Sequence, residues 1–228
     1  MKNRSSAILA AVSGVMLVIT LYLTFLWVPM ERTMGVVQRI FYFHVPPFFV
    51  ASLAILAGLV ASIRFLITRD YRFDDLAVSA IEVGWVFDSI NLVMGPFWAR
   101  PVWGIWWTWD ARLTSAFVLW LMFAGYLILR RAVADPSARA VMCSVVVIFQ
   151  AVGGVIVYMA NRWWRTQHPQ PVMAGGQGSG LDPRMWYVFL FSLATMLVLF
   201  GALLQIRRRL ERLRREIDGL RRTVHSEA

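Results

Sequence analysis

Cysteine is nearly missing from these 228 residues, with Cys143 standing alone. One thiol closes no internal disulfide, builds no CxxCH haem-attachment site and cages no zinc or iron–sulfur cluster, so any metal chemistry falls to histidine, carboxylate or methionine. Charge is scarce too: 16% of residues are charged, against roughly 25% in soluble domains, while 59% are hydrophobic and mean hydropathy is +0.60. Nor is there room between apolar runs for a soluble module. The longest such stretch, residues 161–184, has 24 residues where an independent domain needs about 50. The composition argues against a water-soluble enzyme.

Six apolar runs are long enough to cross a bilayer: 5–28, 45–67, 76–93, 113–129, 140–160 and 185–206. The first is longer than a signal-peptide core, and no small-x-small site follows it, so it reads as a retained helix. The expected fold is an all-α integral membrane protein. It has six transmembrane helices within 1–206, a tryptophan-rich external loop at 95–112, and an Arg-rich helical tail at 207–228.

The net charge of +10 is distributed as the positive-inside rule requires rather than as a nucleic-acid surface. With six crossings, the side holding both termini and the second and fourth loops carries 16 of the 23 basic residues; the other side carries 7. Both termini are therefore expected to be cytoplasmic. Half of the larger count comes from the tail, and the parity requires the third run to insert despite Glu82, Asp88 and Asn91. Ionisable residues occur inside membrane bundles where they face protein or water.

The first, third and fifth loops then share the outer face, and His44 and His168 lie there. His44 closes the first loop, with Pro46 and Pro47 where a new helix begins. Each histidine alone reads as an interfacial side chain; the pair is more informative. Between them in sequence, Trp98, Trp103, Trp106, Trp107 and Trp109 fall within twelve residues. Trp103, Trp106, Trp107 and Asp110 repeat at i, i+3, i+4 and i+7, which predicts a short helix lying along the membrane with three indoles and a carboxylate on one stripe. An aromatic belt would decorate both interfaces, yet no tryptophan falls in a cytoplasmic loop. A flat aromatic ligand fits this better than an anchor. Two imidazoles above an indole platform suit an iron porphyrin, whose propionates would pair with cations such as Arg100, Arg112, Arg162, Arg165 or Arg184.

The run from Trp103 to Ser115 resembles the tryptophan-rich WWD motif of haem-handling membrane proteins in cytochrome c biogenesis. Its ending, Asp110 Ala111 Arg112 Leu113 Thr114 Ser115, is similar to the haem exporter protein C family. So are His44 Val45 Pro46, and Trp163 Trp164 ahead of His168. The resemblance implies a carrier and assembly factor, not an enzyme, in the bacterial inner membrane. It would hold haem b non-covalently and transiently on the periplasmic face and load it onto a periplasmic haem chaperone. His44 and His168 match the axial ligands, and Trp103, Gly104, Trp106, Trp107, Trp109 and Asp110 match the haem platform. The partners implied are the A and B subunits of an ATP-binding-cassette transporter, together with a small single-helix component of the same maturation complex.

Other features read less sharply. Glu82 and Asp88 stand about 240° apart on a helix and form no obvious ion site; Glu82 is either functional or an interhelix contact, and Asp88 with Asn91 faces a watery cleft or a neighbouring helix. Met94, Met159 and Met173 read as packing residues, and His225 as unrelated to the site. Gly175 to Gly180 reads as a flexible linker that lets His168 approach the tryptophan loop. Leu203, Ile206, Leu210, Leu213, Ile217, Leu220 and Val224 alternate three and four apart, either a heptad seam for a partner helix or the apolar stripe of a lipid-surface helix, with the lipid surface favoured. The alternative function is a membrane-bound bis-His b-type cytochrome, which usually places its paired histidines on helices at bilayer depth; here both are expected at loop ends.

Overall fold

The computed structural model describes residues 4–168 and 181–227, with side chains through 221. Pro169, Met173 and the glycine run 175–180 lie outside the described residues, as does the side chain of His225. Six long helices follow one another: α1 Arg4–Tyr22, α2 Phe41–Thr68, α3 Tyr71–Trp103, α4 Ala111–Ala132, α5 Pro136–Trp163 and α6 Pro183–Glu227. Each is long and apolar enough to cross a membrane. A π-helical turn, Leu23–Trp27, extends α1, and a 3-10 turn, Val36–Ile40, leads into α2.

Local chemistry sets the ends. Asp70, Asp110 and Asp135 cap α3, α4 and α5, each accepting a backbone N–H of the first turn. Gly104 ends α3 with φ 77°, a left-handed conformation that costs glycine nothing.

The α2–α3 hairpin is central, with α4 and α5 packed on one flank and α1 and α6 on the other. The two central helices approach closely where side chains are small. A Cβ on Gly84 would stand 2.6 Å from the Ala54 Cβ, and one on Gly58 would stand 2.8 Å from Ile81. One core joins Ile55, Val78, Ile81, Phe123, Tyr126 and Val147 across α2 to α5; a second joins Val50, Ala54, Phe87, Met196 and Phe200 across α2, α3 and α6. Outward faces are apolar, as at Val18, Val60, Ile128 and Phe149, while Ser13, Thr20, Ser62 and Thr195 are buried. This inside-out pattern suits a lipid solvent, in which polar side chains hold helices together. Thr20 of α1 and Thr195 of α6 share a buried hydrogen bond of 2.9 Å.

Three expectations change. The tryptophan-rich loop at 95–112 is shorter, because α3 stays helical to Trp103 and only 104–110 is irregular. The short helix expected to carry Trp103, Trp106, Trp107 and Asp110 does not form, since Gly104 turns the chain and Asp110 is already the cap of α4. The tail continues the last span, as the heptad pattern running out of it suggests: α6 runs unbroken for 45 residues, about 68 Å at 1.5 Å per residue. What changes is its contact, since the continuation packs back on the bundle. Arg207 pairs with Glu82, and Arg215 with Asp74 and Asp75. Glu82 is thus an interhelix contact. Arg130 of α4 completes the cluster with two 2.8 Å bonds to Asp74. Leu210, Leu213, Ile217 and Leu220 point away from this contact and are exposed.

Candidate functional site

At the opposite end of the bundle from this charged cluster lies a cavity of about 880 Å³. It gathers the start of α2, the end of α3, the first turns of α4 and α6, and the segment after α5. His44, His168, Trp98, Trp103, Trp107 and Arg112 are all in its wall.

His44 lies one turn inside α2 rather than at a loop end, because the helix starts at Phe41 and the two prolines fall within it. Pro46 has no N–H to offer the carbonyl of Tyr42 four residues back. Ser192 of α6 donates to that carbonyl instead, at 2.5 Å. The helix therefore tolerates proline here because a neighbour supplies the missing donor. The His44 ring is 9% exposed and is gripped by one stripe of α3, at i, i+4 and i+7. Asn91 donates to the His44 carbonyl at 2.9 Å with the same amide nitrogen 3.4 Å from Nδ1. Gly95 lies against the ring, where a Cβ would stand 3.4 Å from its Cε1. Trp98 meets the ring edge to face, with centroids 5.6 Å apart.

His168 is held by a different set of groups with the same kind of contact. The amide nitrogen of Asn161, in the last turn of α5, lies 3.2 Å from Nδ1 and 3.4 Å from the carbonyl of His168. The His168 N–H donates to the Thr166 hydroxyl at 3.1 Å, and that hydroxyl donates to Asp110 at 2.8 Å. Asp110 also accepts from the Leu113 N–H at 2.9 Å and from Thr108 at 3.1 Å. Partial burial pushes the Asp110 carboxyl up, but the bonds from Leu113, Thr166, Thr108 and Gln167 outweigh it and hold the group below the usual carboxylate range. The aspartate that ends the tryptophan run thus anchors the segment bearing the second histidine.

The other expected residues divide. Trp103, as the last residue of α3, and Trp107 line the cavity beside Trp98. Trp106 instead packs on Phe97, and Trp109 on Trp107 and Phe117; both indoles are largely exposed. Gly104 and Asp110 shape the segment without lining the cavity. Of the five candidate arginines only Arg112 is in the wall, with its guanidinium 4.9 Å from the centre of the Phe48 ring and donating to the Val157 carbonyl. Arg100 donates to the Gly104 carbonyl, Arg162 lies over Tyr158, and Arg184 pairs with Asp182. Met94 and Met159 are not in the wall. Asp88 is: 5% exposed, it faces the cavity with one carboxylate oxygen that has no hydrogen-bond partner among the described residues.

Sequence reasoning missed Gly95, Asn161, Thr166 and the cavity cation Arg32, and set Asn91 with Asp88 at a cleft or helix contact without linking it to His44. The one available signal was the spacing of Asn91, Gly95 and Trp98 on a single face of an otherwise apolar helix; nothing in the sequence points from Asn161 or Thr166 to His168.

Two imidazoles, three indoles and two cations in one wall form a donor set suited to a flat metal macrocycle, with no nucleophile and general-base pair beside it among the described residues. Comparison with known proteins adds to this. The profile of the family described as Heme exporter protein C matches residues 1–223. The chain is 37% identical over 219 residues to Heme exporter protein C of Bradyrhizobium diazoefficiens, covering 96% of this chain and 80% of that one. It is 33% identical over 200 residues to the protein of that name in Rhodobacter capsulatus (86% and 81%). With the one in Escherichia coli K12 it shares 33% over 196 residues (81% and 76%).

Proposed function

The chain belongs to the Heme exporter protein C family, and from that premise we propose that it is a haem carrier for cytochrome c maturation. On this reading haem b is held non-covalently between His44 and His168 and passed to a periplasmic haem chaperone. The observation that carries the reading is that two histidines from distant parts of the chain line one cavity whose wall is rich in indole.

The residues fit the group in chemistry and size. Neutral imidazole is a good axial ligand for haem iron, the tryptophans offer ring faces and exclude water, and pockets of roughly 300–1,000 Å³ are ordinary for cofactors. Bound haem would supply the iron and the porphyrin that become the cytochrome's prosthetic group. The chain's own contribution is to bind, orient and release: His44 is held on α2, His168 on a tether from Asp110, and Arg112 and Arg32 offer positive charge for carboxylates. Because the His168 tether is a short segment rather than a helix, it is the ligand expected to yield when the cargo is handed over. Trp106 and Trp109, exposed on either side of the cavity residue Trp107 in the chain, are suited to contact with the chaperone.

The remaining features follow the same reading. The charge bias supports a cavity on the periplasmic side of the bacterial inner membrane, with both termini cytoplasmic. Work beside an ATP-binding-cassette transporter, with its A and B subunits and the small single-helix component, is part of the proposal, and the chain itself is not an enzyme. The position of His44 inside a helix is the one feature that also suits a b-type cytochrome. An optical spectrum of the purified full chain after haem addition tests the ligands: a bis-imidazole spectrum is expected, and it should be lost in His44→Ala and in His168→Ala. Its persistence in either variant rejects that ligand. Covalent loading of a co-expressed chaperone separates a carrier from an electron-transfer cytochrome.

A further inference from the structure

Both histidines meet an asparagine in the same way, His44 one from α3 and His168 one from the last turn of α5. The amide nitrogen of Asn91 touches Nδ1 and the carbonyl of His44; that of Asn161 touches Nδ1 and the carbonyl of His168. A backbone carbonyl only accepts, so the end of each amide that faces it is the NH2 end. Each Nδ1 therefore faces a donor. A neutral ring whose Nδ1 accepts carries its hydrogen on Nε2, the only other ring nitrogen. A metal-bound histidine ordinarily has the reverse arrangement, with its second ring nitrogen donating N–H to a carbonyl or carboxylate.

We propose that Asn91 and Asn161 are positioning residues that set the tautomer of His44 and His168, holding both rings in the form that does not ligate through Nε2 until the amides turn. A half-turn of an asparagine amide exchanges its nitrogen for its oxygen. The oxygen then accepts from Nδ1–H, and Nε2 is left with its lone pair. The ring stays neutral throughout, since its single hydrogen moves from Nε2 to Nδ1 by exchange with water. The turn breaks the amide's bond to the histidine carbonyl, so ligation is opposed by a hydrogen bond on each side. A carrier gains from this opposition, because the same bonds re-form when the rings let go. The inference rests on the reading of His44 and His168 as iron ligands, and it assigns a role to two residues that neither line the tryptophan run nor carry charge.

Two measurements test it on the full chain in detergent. With 15N-labelled histidine at about pH 8, above the ordinary histidine value, the nitrogen shifts of the empty protein should report Nε2–H at His44 and His168; Nδ1–H at both would overturn the proposal without any mutation. In Asn91→Asp and Asn161→Asp a carboxylate replaces the NH2 donor with a permanent acceptor. Each should lower the midpoint potential of bound haem and slow its transfer to apomyoglobin by about tenfold, at the lower end of the change typical of partners behind a metal ligand. Asn91→Leu, which offers neither donor nor acceptor, should leave the potential nearer that of the unaltered chain. Asp variants with unchanged potential and transfer rate, in protein that shows a normal bis-imidazole spectrum, reject the role of the asparagines alone. Absence of that spectrum from the unaltered chain rejects the ligand reading itself.

Discussion

Asp110 joins three segments through one carboxylate: it caps α4 at Leu113, accepts from Thr108, and accepts from Thr166 two residues before His168. Asp110→Ala removes the cap, which alone costs about 1 kcal/mol, and also the tether. A lowered thermal midpoint is expected, together with weaker haem binding. Asp110→Asn keeps an oxygen for Leu113 and should lose less of both. The carboxyl is held below its ordinary value, so its contribution is complete above the unfolded value of about 3.9 and is lost as pH falls through the folded value. Thermal midpoints should therefore drop in acid more in the unaltered chain than in Asp110→Ala, and converge toward it. The aspartate was legible in the run Trp109 Asp110 Ala111 Arg112, but as a member of the haem platform. Its partner Thr166 is 56 residues away, and no local pattern connects them.

At the scale of helices, the close approach of α2 and α3 predicts a sharp size limit. The Cβ added by Gly84→Ala would meet the Ala54 Cβ at 2.6 Å, with little flexible side chain there to move. The helices must separate, and about 1–3 kcal/mol of destabilisation is expected, read as a lowered thermal midpoint in detergent. Gly125, with open space around its Cβ position, should accept alanine. The Tyr42 carbonyl offers a compensation test. Ser192→Ala removes its 2.5 Å donor and should cost about 1 kcal/mol. In a Pro46→Ala background, where the backbone regains an N–H, the same change should cost less. Six helices were readable from hydropathy, while their ends were not. The apolar runs stop where polar residues begin, yet α3 continues to both sides of 76–93, from Tyr71 to Trp103, because buried partners and interfacial tryptophans accommodate what a transfer scale penalises. The helix expected around Trp106 failed for a local reason, the left-handed turn at Gly104.

The molecule as a whole has two unlike ends. One holds the cavity; the other holds Asp74, Asp75, Glu82, Arg130, Arg207, Glu211 and Arg215 in a shared network linking α3, α4 and α6. Side chains of Asp74 and Arg130 are 5% and 10% exposed, so removing Arg130 leaves Asp74, away from water, with Arg215 at 3.2 Å as its remaining cation. Arg130→Ala should cost less than the roughly 3–5 kcal/mol of a fully unpaired buried charge, measured by thermal or SDS denaturation, and should leave the haem spectrum of the surviving folded fraction unchanged. Deletion after Arg209 removes Glu211 and Arg215 from the same network and should lower the thermal midpoint of the isolated chain. That outcome distinguishes a tail that braces its own bundle from one that serves only lipid or a partner.

Hydropathy and charge determined by themselves that the chain has six helices long and apolar enough to cross a membrane and that His44, the tryptophan run and His168 belong at one end of them. Both are sums over neighbouring residues, and such sums need no knowledge of packing. Tertiary structure alone decided which tryptophans line the cavity, which arginines enter it, and what holds each imidazole. Those outcomes depend on hydrogen bonds and ring contacts between helices, such as Asn91 to His44 across 47 positions, and short-range forces of that kind act only once the helices have met.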